Sequence, residues 1–472
     1  MIRLLHAYFP TRTLVLWISE ACLISLAFLA ATVARLGIGP AALMLNYQHG
    51  SLKIFVVSAA VIVCMYYFDL YDSSILDNRR EMLIRLGQML GTVYGVFVLL
   101  CYMYPPLELG RGILVVGLAF VAMLLIFWRR LFVVMNSVTD FADRAVIFGE
   151  GQLAELLQQE CESRPEFGLR IVGCVAPVNN GNRALDYAGI EFSSDVSGIA
   201  TDEILPRTIK ALHANRIVVA MDDRRGKLPV ELLLSMKCRG MQVHDGVEVY
   251  ETITGKVPIE SIRLASLLFS PGCYASRFHL FYKRFASVLA SIMGLLVSLP
   301  LLPFIVLAIK LTSSGPALYR QKRVGRDNNV FHCYKFRTMR ADAEADTGPT
   351  WALDDDPRIT RVGKFLRQAR LDEIPQLWNV LRGDMSLVGP RPERPEFVSE
   401  LARAIPYYYL RHSVRPGITG WAQIRYRYGN SVEDAKEKLR YDLFYIKNMS
   451  VGLDLLIFLN TIKVILLGTG AK

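Results

Sequence analysis

Between Phe331 and Pro392 the chain gathers the residue types that phosphoryl chemistry needs. Phe331-His332-Cys333-Tyr334-Lys335-Phe336-Arg337-Thr338-Met339 alternates as a strand does, which puts Lys335 and Arg337 on one side. Arg358, Arg361, Lys364, Arg367 and Arg370 then recur every third residue, and on a helix that spacing traces a slowly rotating cationic stripe. Asp372-Glu373 follows directly, with Pro375 suited to the first turn of a new helix. A loop punctuated by Gly and Pro runs from Gly383 to Pro392 and carries Arg391. Phosphoryl transfer uses cations to hold a diphosphate, a carboxylate as nucleophile or metal ligand, and a divalent ion such as Mg²⁺ with oxygen ligands. Adjacent acids point in different directions, so one can attack while the other binds metal or takes a proton.

Each piece has a plainer explanation. An Asp-Glu pair at a helix start is commonly a cap that also meets the helix dipole. Arg at every third position is commonly a solvated face, and Asp354-Asp355-Asp356 reads as an exposed turn and cap. Only the assembly is specific. Charge points the same way: residues 275–472 carry 30 Lys and Arg against 18 Asp and Glu, while residues 1–274 are balanced at 24 against 25. A basic region of this kind fits nucleic acid, anionic lipid or an anionic small substrate. No nucleic-acid motif is present, and the cations are interleaved with turns and acids.

The elements that must position these residues begin in a membrane. Of the 472 residues, 52% are hydrophobic. Four long apolar segments, about 14–34, 53–70, 86–104 and 112–134, approach or exceed the roughly 20 residues a bilayer crossing needs. The second ends near Asp69 and Asp72. Cations cluster at Arg3 and Arg12, at Arg79, Arg80 and Arg85, and at Arg129 and Arg130, which predicts both ends of a four-helix unit on the cytoplasmic side. Residues 143–250 alternate strands and helices as a parallel sheet with crossover helices does. The eight cysteines include no CxxC pair and no Cys/His set with zinc spacing, which fits a reducing cytoplasmic setting. Residues 452–468 read as an interfacial or packed amphipathic helix interrupted by Asp454, Asn460 and Lys463.

A fifth apolar run, about 285–309, is long enough to cross, yet Lys283 and Arg284 precede it and Lys310, Arg320, Lys322 and Arg323 follow it. Cations at both ends disfavour a full crossing. Pro300 and Pro303 remove backbone donors and break a helix. The alternatives are a kinked span and a re-entrant helix that enters and leaves on the cytoplasmic face, with Ser298 shielding broken backbone.

Residues 280–472 resemble the bacterial polyprenyl-phosphate hexose-1-phosphate transferases, the monotopic phosphoglycosyl transferases. The resemblance is carried by Lys283-Arg284, Gly315-Pro316, Arg320 to Gly325, Tyr334 to Met339, Leu371 to Leu381, Gly383 to Pro392 and Val414 to Trp421. The layout of the first 275 residues resembles the larger members, and Asp222 to Pro229 with Thr254 to Pro258 resembles their exopolysaccharide- and exosortase-associated branch. The resemblance implies a membrane protein of α + α/β class. It has an N-terminal four-helix transmembrane unit (1–138), a cytoplasmic Rossmann-like α/β domain (139–275) and a mostly helical catalytic domain (276–472) with a re-entrant membrane helix at about 283–311. It implies a ping-pong reaction in which Asp372 attacks the β-phosphate of a UDP-sugar, UMP leaves, and undecaprenyl phosphate takes the sugar phosphate. Glu373 would help bind Mg²⁺, with Asp372, or activate the lipid phosphate. Lys335, Arg337, Lys364, Arg367 and Arg391 would contact substrate, and Ser298 and Pro300 would form the membrane break. It further implies a bacterial inner-membrane location with the catalytic domain on the cytoplasmic face, and a homodimer. One departure is Ser287, which stands where the family often has Asp.

Two alternatives remain from the residues. Gly149-x-Gly151-x-x-Ala154 between strand and helix suggests a nucleotide-sugar oxidoreductase or dehydratase. However, the strand end at Val175-Ala176-Pro177 lacks the ribose-binding acid, and no Tyr is followed by Lys four residues on. A nonenzymatic scaffold for polysaccharide assembly would keep the spans but has no need of the Arg-Asp-Glu assembly.

Overall fold

The computed structural model describes residues 2–4, 7–9, 11–47, 49–71, 79–107, 109–138, 143–164, 167–175, 201–221, 224, 228–261, 277–340, 343, 348, 356–426, 429 and 431–467. Asp72, Ala176, Pro177, Asp222, Asp223, Arg225, Gly226, Lys227, Cys273, Asp354 and Asp355 lie outside the described residues. The chain divides into two compact units, one of residues 1–2, 9–145 and 161–171, the other of 3–8, 146–160 and 172–472. Residues 143–145 and 161–171 of the α/β region thus fall in the first unit and its remaining described residues in the second.

In the first unit, α1 (Thr11–Leu36), α3 (Gly50–Tyr67), α4 (Arg79–Met103) and α5 (Arg111–Val138) match the four expected spans. An unforeseen helix, α2 (Ile38–Tyr47), lies between the first two. Their shared core holds Phe28, Val57, Met89 and Val121. Burial of Glu20 is made tolerable by Arg129, whose Nε and Nη2 donate to its two oxygens at 2.7 and 3.2 Å while Nη1 donates to the Leu70 carbonyl at 2.8 Å. Among the described residues, five helices are long and apolar enough to cross a membrane: these four and Arg277–Ser298.

Across residues 143–254, β1 (Asp143–Phe148), α6 (Gln152–Ser163), β2 (Leu169–Val175), α7 (Thr201–Ala211), β3 (Arg216–Val219), α8 (Val230–Cys238), β4 (Gln242–Asp245) and α9 (Gly246–Thr254) follow the expected alternation. The sheet order is β2-β1-β3-β4, with β3 and β4 parallel. Gly149 is required where the inner strand β1 ends: φ is 132°, and a Cβ there would lie 2.2 Å from the Ala220 carbonyl oxygen. The stretch after α9 packs into the C-terminal region, where Val257 and Ile259 share a core with Val388, Trp421, Phe444 and Tyr445.

The fifth apolar run is two helices, α10 (Arg277–Ser298) and α11 (Leu302–Thr312). Pro300 stands in the turn and Pro303 in the first turn of α11, where a missing donor is harmless. The Ser298 hydroxyl bonds back to the Leu295 carbonyl at 3.0 Å. Burial on α10 is inverted: His279, Ser287, Ser291 and Ser298 are buried, while Phe281, Phe285, Leu289, Met293 and Leu296 are exposed. A polar strip faces the protein and an apolar face is bare.

Next come the antiparallel hairpin β5 (Leu318–Val324) and β6 (Val330–Phe336), then α12 (Arg361–Gln368). Thr360 caps α12 by accepting from Gly363 N at 2.9 Å. A 3-10 turn, Leu371–Glu373, leads into α13 (Gln376–Arg382). After it, β7 (Ser386–Val388), α14 (Pro395–Ala404), β8 (Gly417–Thr419), α15 (Trp421–Arg425), α16 (Val432–Lys447) and α17 (Val451–Leu467) complete the chain. β7 and β8 pair in parallel, Ser386 with Gly417 and Val388 with Thr419.

Candidate active site

Sequence order alone brings α12, the dyad and α13 together, and a single turn joins them. Arg370, at the end of the cationic stripe, takes φ +56°, so the chain leaves α12 by a left-handed turn straight into Leu371–Glu373. Arg284 of α10 then fixes α13 from below by donating to the Val380 and Leu381 carbonyls at 2.5 and 2.8 Å. Those carbonyls end the helix and carry partial negative charge, so a guanidinium suits them. Asn379, fully buried, ties α13 to β6 by accepting from Tyr334 N at 3.0 Å and donating to His332 O at 2.7 Å. The apolar helix thereby positions the acids through the end of α13.

Asp372 and Glu373 are both buried, at 7% and 8% exposure, and are treated differently. Glu373 Oε1 lies 2.7 Å from Arg391 Nη2 and 3.5 Å from Lys335 Nζ, and Oε2 lies 3.9 Å from Arg370 Nη1. Burial alone would raise its pKa, but Arg391, Lys335 and Arg370 outweigh that and hold the carboxyl far below the usual range. The Asp372 carboxylate accepts no hydrogen bond and joins no ion pair among the described residues. Burial, reinforced by the Glu373 charge, pushes its pKa up, against the pull of Lys335, Arg367 and Arg391. One acid is clamped as an anion; the other keeps its lone pairs.

The expected cations separate accordingly. Lys335 and Arg391 meet Glu373. Arg367 is aimed by Thr338, whose Oγ1 accepts from its Nε at 2.9 Å. Lys364 is exposed on α12, three residues earlier. Arg337 donates to the Ser314 and Ser313 carbonyls at 2.8 Å and to Ser313 Oγ at 2.9 Å. The reason is local. β6 ends at Phe336, so the alternation that pairs Lys335 with Arg337 does not extend to residue 337. Asp356 departs from an exposed turn; it is buried and holds Arg358 Nη2 at 2.6 Å. Ser287 replaces a charged anchor with hydroxyl contacts, 3.2 Å to Ser386 Oγ and 3.4 Å from Leu387 N.

The sequence gives Arg370 only its place in the cationic stripe, and gives no role to Asn379 or Gln376. Gln376 Nε2 is buried with no hydrogen-bond partner among the described residues. The spacing 372, 376, 379 is that of one helical face and was the available signal. For a metal, no group of three or more His, Cys, Asp or Glu occurs among the described residues. Mg²⁺ often takes one or two carboxylates and completes its shell with water and substrate phosphate. The open Asp372 carboxylate fits that mode, and Glu373 fits it to the extent that it shares its oxygens with the cations.

The model of the bacterial sugar transferase family matches residues 278–468, which include every residue of this site. The chain is 46% identical over 228 residues to UDP-N-acetylgalactosamine-undecaprenyl-phosphate N-acetylgalactosaminephosphotransferase of Aeromonas hydrophila, covering 48% of this chain and 52% of that protein. It is 33% identical over 324 residues to UDP-glucose:undecaprenyl-phosphate glucose-1-phosphate transferase of Escherichia coli (strain K12), covering 67% and 66%. It is 41% identical over 185 residues to the exopolysaccharide production protein PSS of Rhizobium leguminosarum bv. phaseoli, covering 38% of this chain and 92% of that protein. The chain thus spans about half the length of the Aeromonas relative. These comparisons give no support to the oxidoreductase alternative. With a site of buried carboxylates beside cations, a family model matched across it, and a relative covered over 92% of its length, the chain belongs to the bacterial sugar transferase family.

Proposed function

We propose that the chain transfers a sugar 1-phosphate from a UDP-sugar to undecaprenyl phosphate, releasing UMP, as the first membrane step of exopolysaccharide repeat-unit assembly. The observation that carries this is the asymmetry of the dyad, in which Glu373 is saturated with cations and Asp372 is left open. An Asp372 oxygen attacks the β-phosphorus of the UDP-sugar. The bond from that phosphorus to the bridging oxygen breaks, and UMP leaves with the electron pair. A phosphosugar ester of Asp372 remains. A phosphate oxygen of the lipid then attacks the same phosphorus, freeing Asp372 and giving the lipid diphosphosugar. Glu373 orders Arg391, Lys335 and Arg370 around the reacting phosphate, and Arg367 adds charge on the Asp372 side. Bound by Asp372 and Glu373, Mg²⁺ would offset diphosphate charge.

The same reading takes the apolar face of α10 and the break at Ser298–Leu302 as a re-entrant membrane helix. Its bare phenylalanines and leucines face lipid, and both of its ends lie on the cytoplasmic face of a bacterial inner membrane. It keeps the three-part division into transmembrane unit, Rossmann-like domain and catalytic domain, and the homodimer that the resemblance implies. Purified protein mixed with Mg²⁺, undecaprenyl phosphate and a panel of UDP-sugars should release UMP with at least one of them. No UMP with any sugar, or undiminished release by Asp372→Asn, sinks the proposal.

A further inference from the structure

The loop that carries Arg391 has an unusual pattern of support. Gly389-Pro390-Arg391-Pro392-Glu393 contains two prolines, which cannot donate, so its backbone is held mainly through its carbonyls. Four in a row accept a hydrogen bond at 2.9 Å. Pro390 O accepts from Gly417 N, Arg391 O from Arg411 Nη2, Pro392 O from Arg323 Nη1, and Glu393 O from Val324 N. Two of these donors are side chains from distant parts of the sequence. Arg411 is buried, with 7% of its side chain exposed, and stands 2.9 Å from the buried Asp442 carboxylate. Its Nη1 donates to Tyr408 Oη at 2.5 Å. Arg323 also meets the Glu393 carboxylate at 3.4 Å.

A buried guanidinium with an ionised partner is a costly way to support a loop, and an apolar packing of equal volume would hold a backbone as well. What these two groups add is direction. They act on the carbonyls at and just after Arg391, whose own guanidinium ends 2.7 Å from Glu373. We propose that Arg411 and Arg323 are positioning residues for the transfer reaction, gripping the Arg391 and Pro392 carbonyls so that the Arg391 guanidinium stays on Glu373. This rests on the function proposed above. Asp442 and Tyr408 hold Arg411 in turn, forming a relay of contacts from α16 to the dyad.

Two measurements on the full chain in detergent test it. The first is a double-mutant cycle on UMP release. Arg411→Gln should lower kcat/KM roughly 10- to 100-fold, the scale of a small misplacement of a catalytic group, with most of the loss in kcat. In an Arg391→Ala background the same change should lower it less than about twofold, since groups acting through one another are not additive. Arg323→Gln should behave alike, and its partly exposed position keeps the test available where Arg411→Gln fails to fold. Equal losses in both backgrounds overturn the proposal. The second measurement is hydrogen exchange of the peptide covering 387–397. It should speed up in Arg411→Gln and Arg323→Gln, and unchanged exchange overturns the grip. That readout needs no turnover, so absence of UMP from the wild-type chain defeats the proposed function and leaves the grip to be decided separately.

Discussion

Glu20 in the four-helix unit and Asp372 in the C-terminal region are both buried carboxylates with arginine in their neighbourhood, and the two regions resolve the problem in opposite ways. Glu20 receives a two-pronged guanidinium, and the remaining prong of Arg129 is satisfied by a backbone carbonyl. Nothing is left over, as expected where burial of charge is tolerated only with full pairing. At the dyad, the cations converge on Glu373, and Asp372 beside it is left with no ion pair among the described residues. The unfolded chain would solvate that carboxylate better than the folded one does, so keeping it there lowers stability. The comparison separates charge buried for architecture from charge buried for reaction: the first is saturated, the second holds capacity in reserve.

The sharpest way to break this distinction is to neutralise each acid. Asp372→Asn removes the nucleophile and should reduce UMP release by roughly 10⁴-fold or more, by analogy with the loss of other covalent nucleophiles. Its thermal midpoint should hold or rise, because a desolvated charge disappears without orphaning a partner. Glu20→Gln should do the reverse. It leaves Arg129 buried without its counter-charge, at about 3–5 kcal/mol, visible as a lower midpoint in detergent. Activity per folded molecule should be nearly unchanged. A stability loss in the first variant, or none in the second, would erase the contrast.

A smaller effect concerns pH. Attack needs ionised Asp372, whose pKa burial and Glu373 raise while Lys335, Arg367 and Arg391 pull it down. UMP release should therefore fall as pH drops through a value raised above the ordinary one for an aspartate. Lys335→Met removes a cation that favours the ionised form, so the acid limb should move to higher pH, on the order of half a unit to one unit for loss of one partly solvated charge. A limb that moves down, or stays in place, would mean that the titrating group is not Asp372.

How much of this was legible beforehand depends on sequence distance. The dyad, the stripe and the Gly/Pro loop lie within about 35 residues of one another, and local spacing was enough to group them. The break near Ser298 and Pro300 was legible because proline acts on its own backbone. What the spacing did not hold was which acid the cations would choose. Arg391 reaches Glu373 across a loop, and that loop is set by Arg411, Arg323 and Gly417, which no local pattern joins to it. Arg337 turns to the Ser313 and Ser314 carbonyls for a complementary reason: the strand's alternation ends one residue before it. The core membership of Val257 and Ile259 was equally hidden, being a packing fact between segments more than 100 residues apart.

Arg370 offers the finest test, because one residue there combines a backbone defect with a charge. Its φ of +56° places an L side chain in the left-handed region, at a cost of about 1–2 kcal/mol that glycine would avoid. Its guanidinium lies 3.9 Å from Glu373, the longest of the three cation contacts. If the residue were there for the turn alone, glycine should be the better choice. Arg370→Gly should thus gain up to about 1 kcal/mol of stability, the strain relief being partly offset by the freer unfolded chain. It should lose roughly two- to fivefold in kcat/KM as Glu373 gives up one of its cations, comparable with other partly solvated ion pairs. Arg370→Ala separates the two contributions, since it discards the charge and keeps the strain. It should match the glycine variant in activity and fall below it in stability. Equal stability of the two variants would show that the turn is unstrained, and undiminished activity in both would confine the electrostatic clamp on Glu373 to Arg391 and Lys335.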